Sequence, residues 1–137
     1  MIRIHASAVA IDGRALVILG PSGTGKSSLA LQLLAVGAIL IADDQTELRR
    51  DGRDLRARAP DALRGRIEAR GVGILSAATA TDVSVVLACD LGAVEGQRLP
   101  PWRQVEWLGV AVPLVLGPYR PHLYAALRQM LTGGRMM

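Results

Sequence analysis

The feature that most constrains this chain is a glycine-rich octet between an apolar pentad and an amphipathic segment. It reads Gly20-Pro21-Ser22-Gly23-Thr24-Gly25-Lys26-Ser27 and fits the pattern glycine, four residues, glycine, lysine, then serine or threonine. Lys26 is the only lysine among 16 basic residues, and all the others are arginine. A compact ammonium fits inside a tight backbone loop, where a planar guanidinium does not. The octet therefore predicts a loop that binds nucleotide phosphates.

The flanking segments supply the strand–loop–helix context that this pattern requires. Ala15 to Leu19 predicts a short buried strand that leads directly into the octet. Beyond the octet, apolar residues recur at helical spacing from Leu29 to Val36, and Gly37 is placed to end that helix. Ala38 to Ala42 then predicts a second buried strand, which closes on Asp43-Asp44. This order indicates an α/β fold.

The remaining segments predict further strands and one late helix. Ile2 to Ile11 is strand-like and precedes the turn signal Asp12-Gly13. Pro121 opens a helix with an apolar stripe, interpreted as core or subunit contact. The other strand-like segments are Thr46 to Arg50, Leu55 to Ala59, Ile67 to Leu75, Val83 to Leu87, Val105 to Leu108 and Val110 to Val115.

Length, charge and cysteine content limit the classes of protein that remain. At 137 residues, we expect one domain over residues 1–137. No apolar run reaches membrane-spanning length, and the single Cys89 cannot form an internal disulfide, so we expect a cytoplasmic protein with no membrane partner. The net charge of +4 raises nucleic acid as a partner, but the arginines are interleaved with acids and aromatics are few. We therefore expect no nucleic-acid partner.

The residue types of the octet predict different contacts with the phosphates and the metal ion. Gly20, Gly23 and Gly25 let backbone N–H groups point at phosphate oxygens. Lys26 would bridge the outer phosphates of the nucleotide, and the Ser27 hydroxyl would ligate Mg²⁺.

Acidic residues downstream are candidates for catalysis and metal binding. Asp43 and Asp44 end the strand after the loop helix, where one can hold a metal-bound water while the other takes a proton. A turn-capping aspartate is the alternative. Glu68 and Arg70 share one face of an extended segment, for which a plain ion pair is the simpler interpretation.

Two further polar residues are weaker candidates. His5 lies on the first predicted strand and, taken alone, indicates an ordinary core or surface histidine. Arg120 lies in a loop and reaches either a phosphate or solvent.

Taken together, these residues resemble the catalytic domain of bacterial HPr kinase/phosphorylase. That family has a histidine on the strand before a GDSGxGKS loop, then a strand ending in ADD, then an ExRGxGI signature. The matches are His5, the octet, Ala42-Asp43-Asp44, and the segment from Glu68 to Ile74. The resemblance implies a phosphate-loop domain of the HPr kinase/PEP carboxykinase type, with a mixed central sheet.

The resemblance also implies roles for individual residues. Asp43 would be the acid/base toward the acceptor serine, with Asp44 supporting it and His5 lying beside Asp43. Ser27 and Glu68 would hold Mg²⁺, while Lys26 and the loop amides hold the phosphates of ATP. Arg120 matches the family's phosphate-contacting arginine.

The implied activity is an ATP-using, Mg²⁺-dependent protein-serine kinase, with phosphorolysis as a second reaction. Its partner would be an HPr-like phosphocarrier protein of a phosphotransferase system, and the resemblance implies a homo-oligomer, commonly a hexamer. The chain resembles the short form found in alphaproteobacteria, without an N-terminal regulatory domain. Pro21 departs from the family's usual aspartate at that loop position.

Two other functions fit the octet. One is a small-molecule kinase, with the Arg49 to Arg58 hairpin as a mobile arginine-rich lid. The other is a non-catalytic regulator that senses a nucleotide. Phosphotransfer to an HPr-like protein, and its dependence on Asp43, would distinguish the three.

Overall fold

A computed structural model describes all residues, 1–137, as ten strands and two helices. The strands are β1 (Ile2–Ile11), β2 (Arg14–Leu19), β3 (Ile39–Ala42), β4 (Gln45–Asp51), β5 (Asp54–Arg58), β6 (Arg66–Ala69), β7 (Gly73–Ser76), β8 (Val83–Val94), β9 (Arg103–Trp107) and β10 (Val110–Gly117). The helices are α1 (Lys26–Ala35) and α2 (Leu123–Gly133), and a single 3₁₀ turn covers Asp61–Leu63.

Eight of the strands form one mixed sheet, and part of it closes on itself. Strand β1 pairs antiparallel with β2 and β4, β4 with β5, and β5 with β8. Strand β8 then runs parallel to β2, which completes a ring. The sheet continues from β8 through parallel β10 to antiparallel β9, while β6 and β7 form a separate hairpin. The predicted α/β fold with a mixed central sheet is confirmed.

Two hydrophobic clusters lie on opposite sides of β1 and β2. The larger packs α1 and α2 against the sheet through leucines such as Leu29, Leu33 and Leu127. The other lies within the strand ring and is dominated by alanine and valine. Alternate residues of β1 supply both clusters, since Ala8 faces the ring and Val9 faces the helices. Strand β1 is therefore buried on both faces over its second half.

The predicted elements were largely confirmed, with three differences in extent or form. Strand β8 continues to Val94, because its polar and glycine residues stay in the ladder with β2 and β10. The segment from Ile67 to Leu75 is a hairpin, since Gly71 adopts a φ of 80° and reverses the chain. Helix α2 begins at Leu123, two residues after Pro121, and extends to Gly133.

The structure bears on the expectations about membrane spans and about Cys89. Neither helix is long and apolar enough to cross a membrane. Cys89 is buried on β8, and that burial raises the pKa of its thiol to about 12.

The β4–β5 hairpin, which the sequence suggested as a mobile lid, lies within the sheet. Its Arg49 forms a bidentate hydrogen bond to Asp82. Arg50, Arg56 and Arg58 of the same hairpin also donate hydrogen bonds, so these arginines are not free as those of a mobile lid would be.

Glu47 on β4 forms ion pairs with two arginines, and these pairs should make the free energy of unfolding depend on pH. Arg3 donates to its Oε2 at 2.8 Å and Arg58 to its Oε1 at 3.0 Å. The bond from Arg3, more than that from Arg58, lowers the pKa of this carboxyl, although its burial acts in the opposite direction. Because the folded-state pKa is the lower one, this stabilisation is complete above the unfolded-state pKa and is lost as the pH falls.

We therefore expect Glu47→Gln to lower the free energy of unfolding at pH 7 by about 1 kcal/mol, and to flatten its decline below about pH 5. Urea unfolding at pH 7, 5 and 4 measures both effects. Glu106→Gln is the matched control, because Glu106 is exposed and forms no ion pair. An equal pH slope in wild type and Glu47→Gln would contradict this account.

Candidate active site

The glycine-rich octet forms a tight loop between β2 and α1. Gly25 precedes α1 with a φ of 103°, and a side chain there would meet the ring of Tyr119 at 3.1 Å. Thr24 donates its hydroxyl to the Pro21 carbonyl at 2.7 Å, which closes the loop on itself. The Lys26 ammonium donates to the Gly20 carbonyl at 2.7 Å and lies almost fully buried beneath the loop. The loop is therefore held in shape by its own contacts and by Tyr119.

A polar cavity of about 190 Å³ opens beside this loop. None of its lining residues is hydrophobic; they are Ser22, Gly23, Gly25, Lys26, Ser27, Ser28, Asp44, Glu68 and Arg70. Of the octet, Gly20, Pro21 and Thr24 do not line it and serve the loop's internal contacts instead. Such a lining, at the N-terminus of a helix, suits a phosphate group rather than an apolar ligand.

Asp43 lies behind the cavity, with both carboxylate oxygens occupied. Ser7 and Ser27 each donate a hydroxyl to its Oδ1 at 2.7 Å, and the Glu68 backbone N–H donates to its Oδ2 at 2.9 Å. Asp43 is only 8% exposed. The carboxylate therefore joins β1, α1 and β6 at one point and directs the Ser27 hydroxyl.

Asp44 faces the cavity instead. Its side chain is 64% exposed, and its Oδ1 lies 2.6 Å from Nε2 of His5. The residue adopts a φ of 70°, in the left-handed region that aspartate tolerates better than most residues. The expectation that His5 lies beside Asp43 was wrong. His5 bonds Asp44, because the chain turns between the two aspartates and brings the second one to the histidine.

The β6–β7 hairpin brings two more charged side chains to the cavity. Glu68 and Arg70 both line it, while the Glu68 backbone holds Asp43. Sequence alone made a plain ion pair the simpler interpretation for these two residues. Among the salt bridges of the chain, neither residue takes part in one. Both charges are therefore available to a ligand.

The donor set near Ser27 fits a hard divalent cation such as Mg²⁺. The candidates are the Ser27 hydroxyl and the Glu68 carboxylate, which both line the cavity and are hard oxygen donors. No group of three His, Cys, Asp or Glu residues is arranged to hold a metal ion alone. Mg²⁺ commonly takes one or two protein ligands and completes its shell with water and substrate phosphates.

Arg120 is the one proposed catalytic residue that does not join the others. It is exposed, follows β10, and does not line the cavity. Its charge acts instead near Cys89, where it opposes the rise in the thiol pKa. The neighbouring Tyr119 packs on Gly25. Sequence reasoning missed both Tyr119 and Ser7; the signal for Ser7 was its position two residues after His5 on the same strand face.

The strand–loop–helix geometry and the polar cavity are typical of a phosphate-loop protein. Residues 1–88 match the family model described as the HPr Serine kinase C-terminal domain. That match covers more than half of the 137 residues, and the chain belongs to this family.

Individual relatives agree with this assignment. The chain is 35% identical over 131 residues to an HPr kinase/phosphorylase of Caldicellulosiruptor bescii, covering 85% of this chain and 42% of that protein. It is 36% identical over 137 residues to an HPr kinase/phosphorylase of Caldanaerobacter subterraneus subsp. tengcongensis, covering 88% of this chain and 44% of that protein. The chain thus spans less than half the length of these curated relatives.

A solved structure extends the likeness beyond the family match. The Hpr(Ser) kinase/phosphatase from Coxiella burnetii has a TM-score of 0.80 and 29% sequence identity, over 96% of this chain and 94% of that chain. The later strands and α2 therefore belong to the same fold as the phosphate loop.

Gly92 on β8 lies directly behind the phosphate loop, so enlarging it should displace the loop. A Cβ there would lie 2.9 Å from Cδ of Pro21 and 3.2 Å from Oδ1 of Asp90. The proline ring is rigid and cannot move aside alone. We expect Gly92→Ala to weaken binding of a fluorescent nucleotide roughly tenfold and to lower the free energy of unfolding by about 1–3 kcal/mol.

The matched control is Gly96→Ala, because nothing lies within 4 Å of a Cβ at that position. Fluorescence titration and urea unfolding of both variants measure the effect. Equal nucleotide affinity in the two variants would show that Gly92 does not support the loop.

Proposed function

We propose that this chain is the catalytic part of a Mg²⁺-dependent, ATP-using protein-serine kinase that acts on an HPr-like phosphocarrier protein. One observation carries the proposal: a phosphate loop and a histidine-paired carboxylate line the same polar cavity. The first can hold a phosphoryl donor and the second can accept a proton from an acceptor hydroxyl. The names of its relatives, HPr kinase/phosphorylase and Hpr(Ser) kinase/phosphatase, support the acceptor class.

The donor side of the site is assigned to the loop and its neighbours. Loop N–H groups and the Lys26 ammonium bind the phosphates of ATP. The Ser27 hydroxyl, directed by Asp43, and the Glu68 carboxylate hold Mg²⁺. When bound, this ion would neutralise negative charge on the phosphates of the nucleotide. Arg70 lines the same cavity, and we assign its guanidinium to the oxygens of the transferred phosphoryl group.

On the acceptor side, we assign to Asp44 the acid/base role that the family resemblance implied for Asp43. Both oxygens of Asp43 already accept hydrogen bonds, and the residue is buried. Asp44 is exposed to the cavity and is held by His5. The acceptor serine oxygen bonds to the γ-phosphorus, the bond to the ADP oxygen breaks, and the serine proton passes to the Asp44 carboxylate.

Phosphorolysis would use the same groups in reverse. Inorganic phosphate would attack the phosphoserine phosphorus and form pyrophosphate, with Asp44 removing the proton from the attacking phosphate and returning it to the serine oxygen. Arg120 is assigned no step in either direction, because it does not line the cavity. The single domain over residues 1–137 and the homo-oligomer remain predictions.

The test is incubation of the purified protein with ATP, Mg²⁺ and HPr-like proteins, followed by mapping of the modified residue by mass spectrometry. We expect one phosphorylated serine on the acceptor and no transfer in Lys26→Ala. A metabolite panel in the same assay tests the small-molecule kinase. Transfer to a metabolite but to no HPr-like protein would refute the proposal, and no transfer to either would favour a nucleotide sensor.

The two aspartates should respond differently to loss of charge. We expect Asp44→Asn to lower kcat about 100-fold or more, because it removes the proton acceptor, while nucleotide affinity stays within about threefold. Asp43→Asn should instead weaken Mg²⁺-dependent nucleotide binding, because it disturbs Ser27. Transfer kinetics and nucleotide titrations with and without Mg²⁺ measure both. Full kcat in Asp44→Asn would reject Asp44 as the base.

A further inference from the structure

A buried serine connects the two aspartates of the site. Ser7 is fully buried, so it contacts neither solvent nor a bound substrate. Its hydroxyl donates to Oδ1 of Asp43 at 2.7 Å and accepts from the backbone N–H of Asp44 at 3.2 Å. A hydroxyl has one proton, so donating it to the carboxylate leaves its lone pairs for the amide. The Ser7 hydroxyl therefore donates one hydrogen bond, to Asp43, and accepts one, from Asp44.

The position of this serine coincides with a break in the sheet. Strands β3 and β4 both pair antiparallel with β1, so together they form one run that is interrupted only by the two aspartates. Ala8 pairs with Ala42 and His5 pairs with Gln45, which leaves Ala6 and Ser7 opposite the interruption. There, the Ala6 N–H donates to the Asp44 carbonyl at 3.0 Å. The Asp44 peptide groups are therefore held from β1 on both sides.

This break decides where the two carboxylates point. Neighbouring side chains of a regular strand point to opposite faces. His5 and Ser7, two residues apart on β1, lie on one face, and they bond Asp44 and Asp43 respectively. Both carboxylates thus come to the same side, which a regular strand does not allow. The left-handed conformation of Asp44 makes this possible, and its N–H is bonded to Ser7.

We propose that Ser7 is a positioning residue that gives the adjacent aspartates their separate tasks. Its hydroxyl holds the Asp43 carboxylate toward Ser27, and it holds the Asp44 backbone in the conformation that directs the second carboxylate to His5 and the cavity. Ser7 acts on the reaction through these two residues. The assignment of tasks rests on the proposed function, whereas the hold on the Asp44 backbone does not.

Thr46 provides a comparison, because it also has a buried hydroxyl beside β1. Thr46 on β4 is also fully buried, and its hydroxyl donates to the Ala6 carbonyl at 2.8 Å. It touches neither aspartate side chain. Thr46→Val removes this bond at nearly constant volume, so it is a matched control for the loss of a buried hydroxyl beside β1.

The experiment compares Ser7→Ala, Ser7→Thr and Thr46→Val with wild type. We expect Ser7→Ala to lower kcat about tenfold to one hundredfold and to weaken Mg²⁺-dependent nucleotide affinity several-fold, because it removes a hydrogen bond to the carboxylate that directs Ser27. Ser7→Thr keeps the hydroxyl and should retain kcat within a few-fold. Thr46→Val should keep kcat within about twofold even if its melting temperature falls.

Hydrogen exchange at the Asp44 amide gives a readout independent of activity. We expect exchange at least tenfold faster in Ser7→Ala and unchanged in Thr46→Val, because only Ser7 accepts from that N–H. Unchanged exchange in Ser7→Ala would overturn the proposal whatever its activity. A wild-type kcat in Ser7→Ala, or an equal loss of kcat in Thr46→Val, would overturn the positioning role.

Failure of the proposed function has a different signature. In that case wild type itself transfers no phosphate to any HPr-like protein, and Mg²⁺-dependent nucleotide affinity becomes the deciding measurement. An affinity several-fold weaker in Ser7→Ala, with no difference when Mg²⁺ is absent, supports the hold on Asp43. Equal affinities in both conditions overturn it.

Discussion

The site depends on a short interruption in the ladder between β1 and the β3–β4 run. At this point the left-handed conformation of Asp44 brings two consecutive carboxylates to one side of the sheet. One is buried and accepts three hydrogen bonds, and the other is exposed and paired with His5. The carboxylates of two adjacent residues, Asp43 and Asp44, thus lie in different environments. Such divergence of environment is how proteins obtain different roles from identical side chains.

The rest of the fold holds this interruption against the phosphate loop. The Asp43 carboxylate is contacted from β1, from the first turn of α1 and from β6, so three elements meet at one residue. On the other side of the loop, Gly92 and Tyr119 close the space next to Pro21 and Gly25. These last contacts come from β8 and from the segment after β10. Strands beyond the family match at residues 1–88 therefore still shape the loop.

Much of this arrangement could be predicted from sequence, for identifiable reasons. The strand from Ile2 to Ile11, the octet and Ala42-Asp43-Asp44 are local patterns, and each appears where its pattern indicates. Strand β8 was predicted too short, because Asp90 and Gly92 look like loop residues until both neighbouring strands are known. The partner of His5 was wrong for a similar reason, since the reversal at Asp44 depends on tertiary contacts that no local pattern contains.

The alanines inside the strand ring place a limit on how this protein can be changed. Ala6 and Ala8 flank Ser7 on β1 and point into a fully buried interior, so Ser7 cannot shift without disturbing that packing. A larger side chain at either position would push β1 away from the strands beside it and, with it, His5 and Ser7 from their aspartates. Attempts to strengthen the fold by filling the ring would therefore act directly on the chemistry. In this chain, core packing and the geometry of the site depend on the same strand.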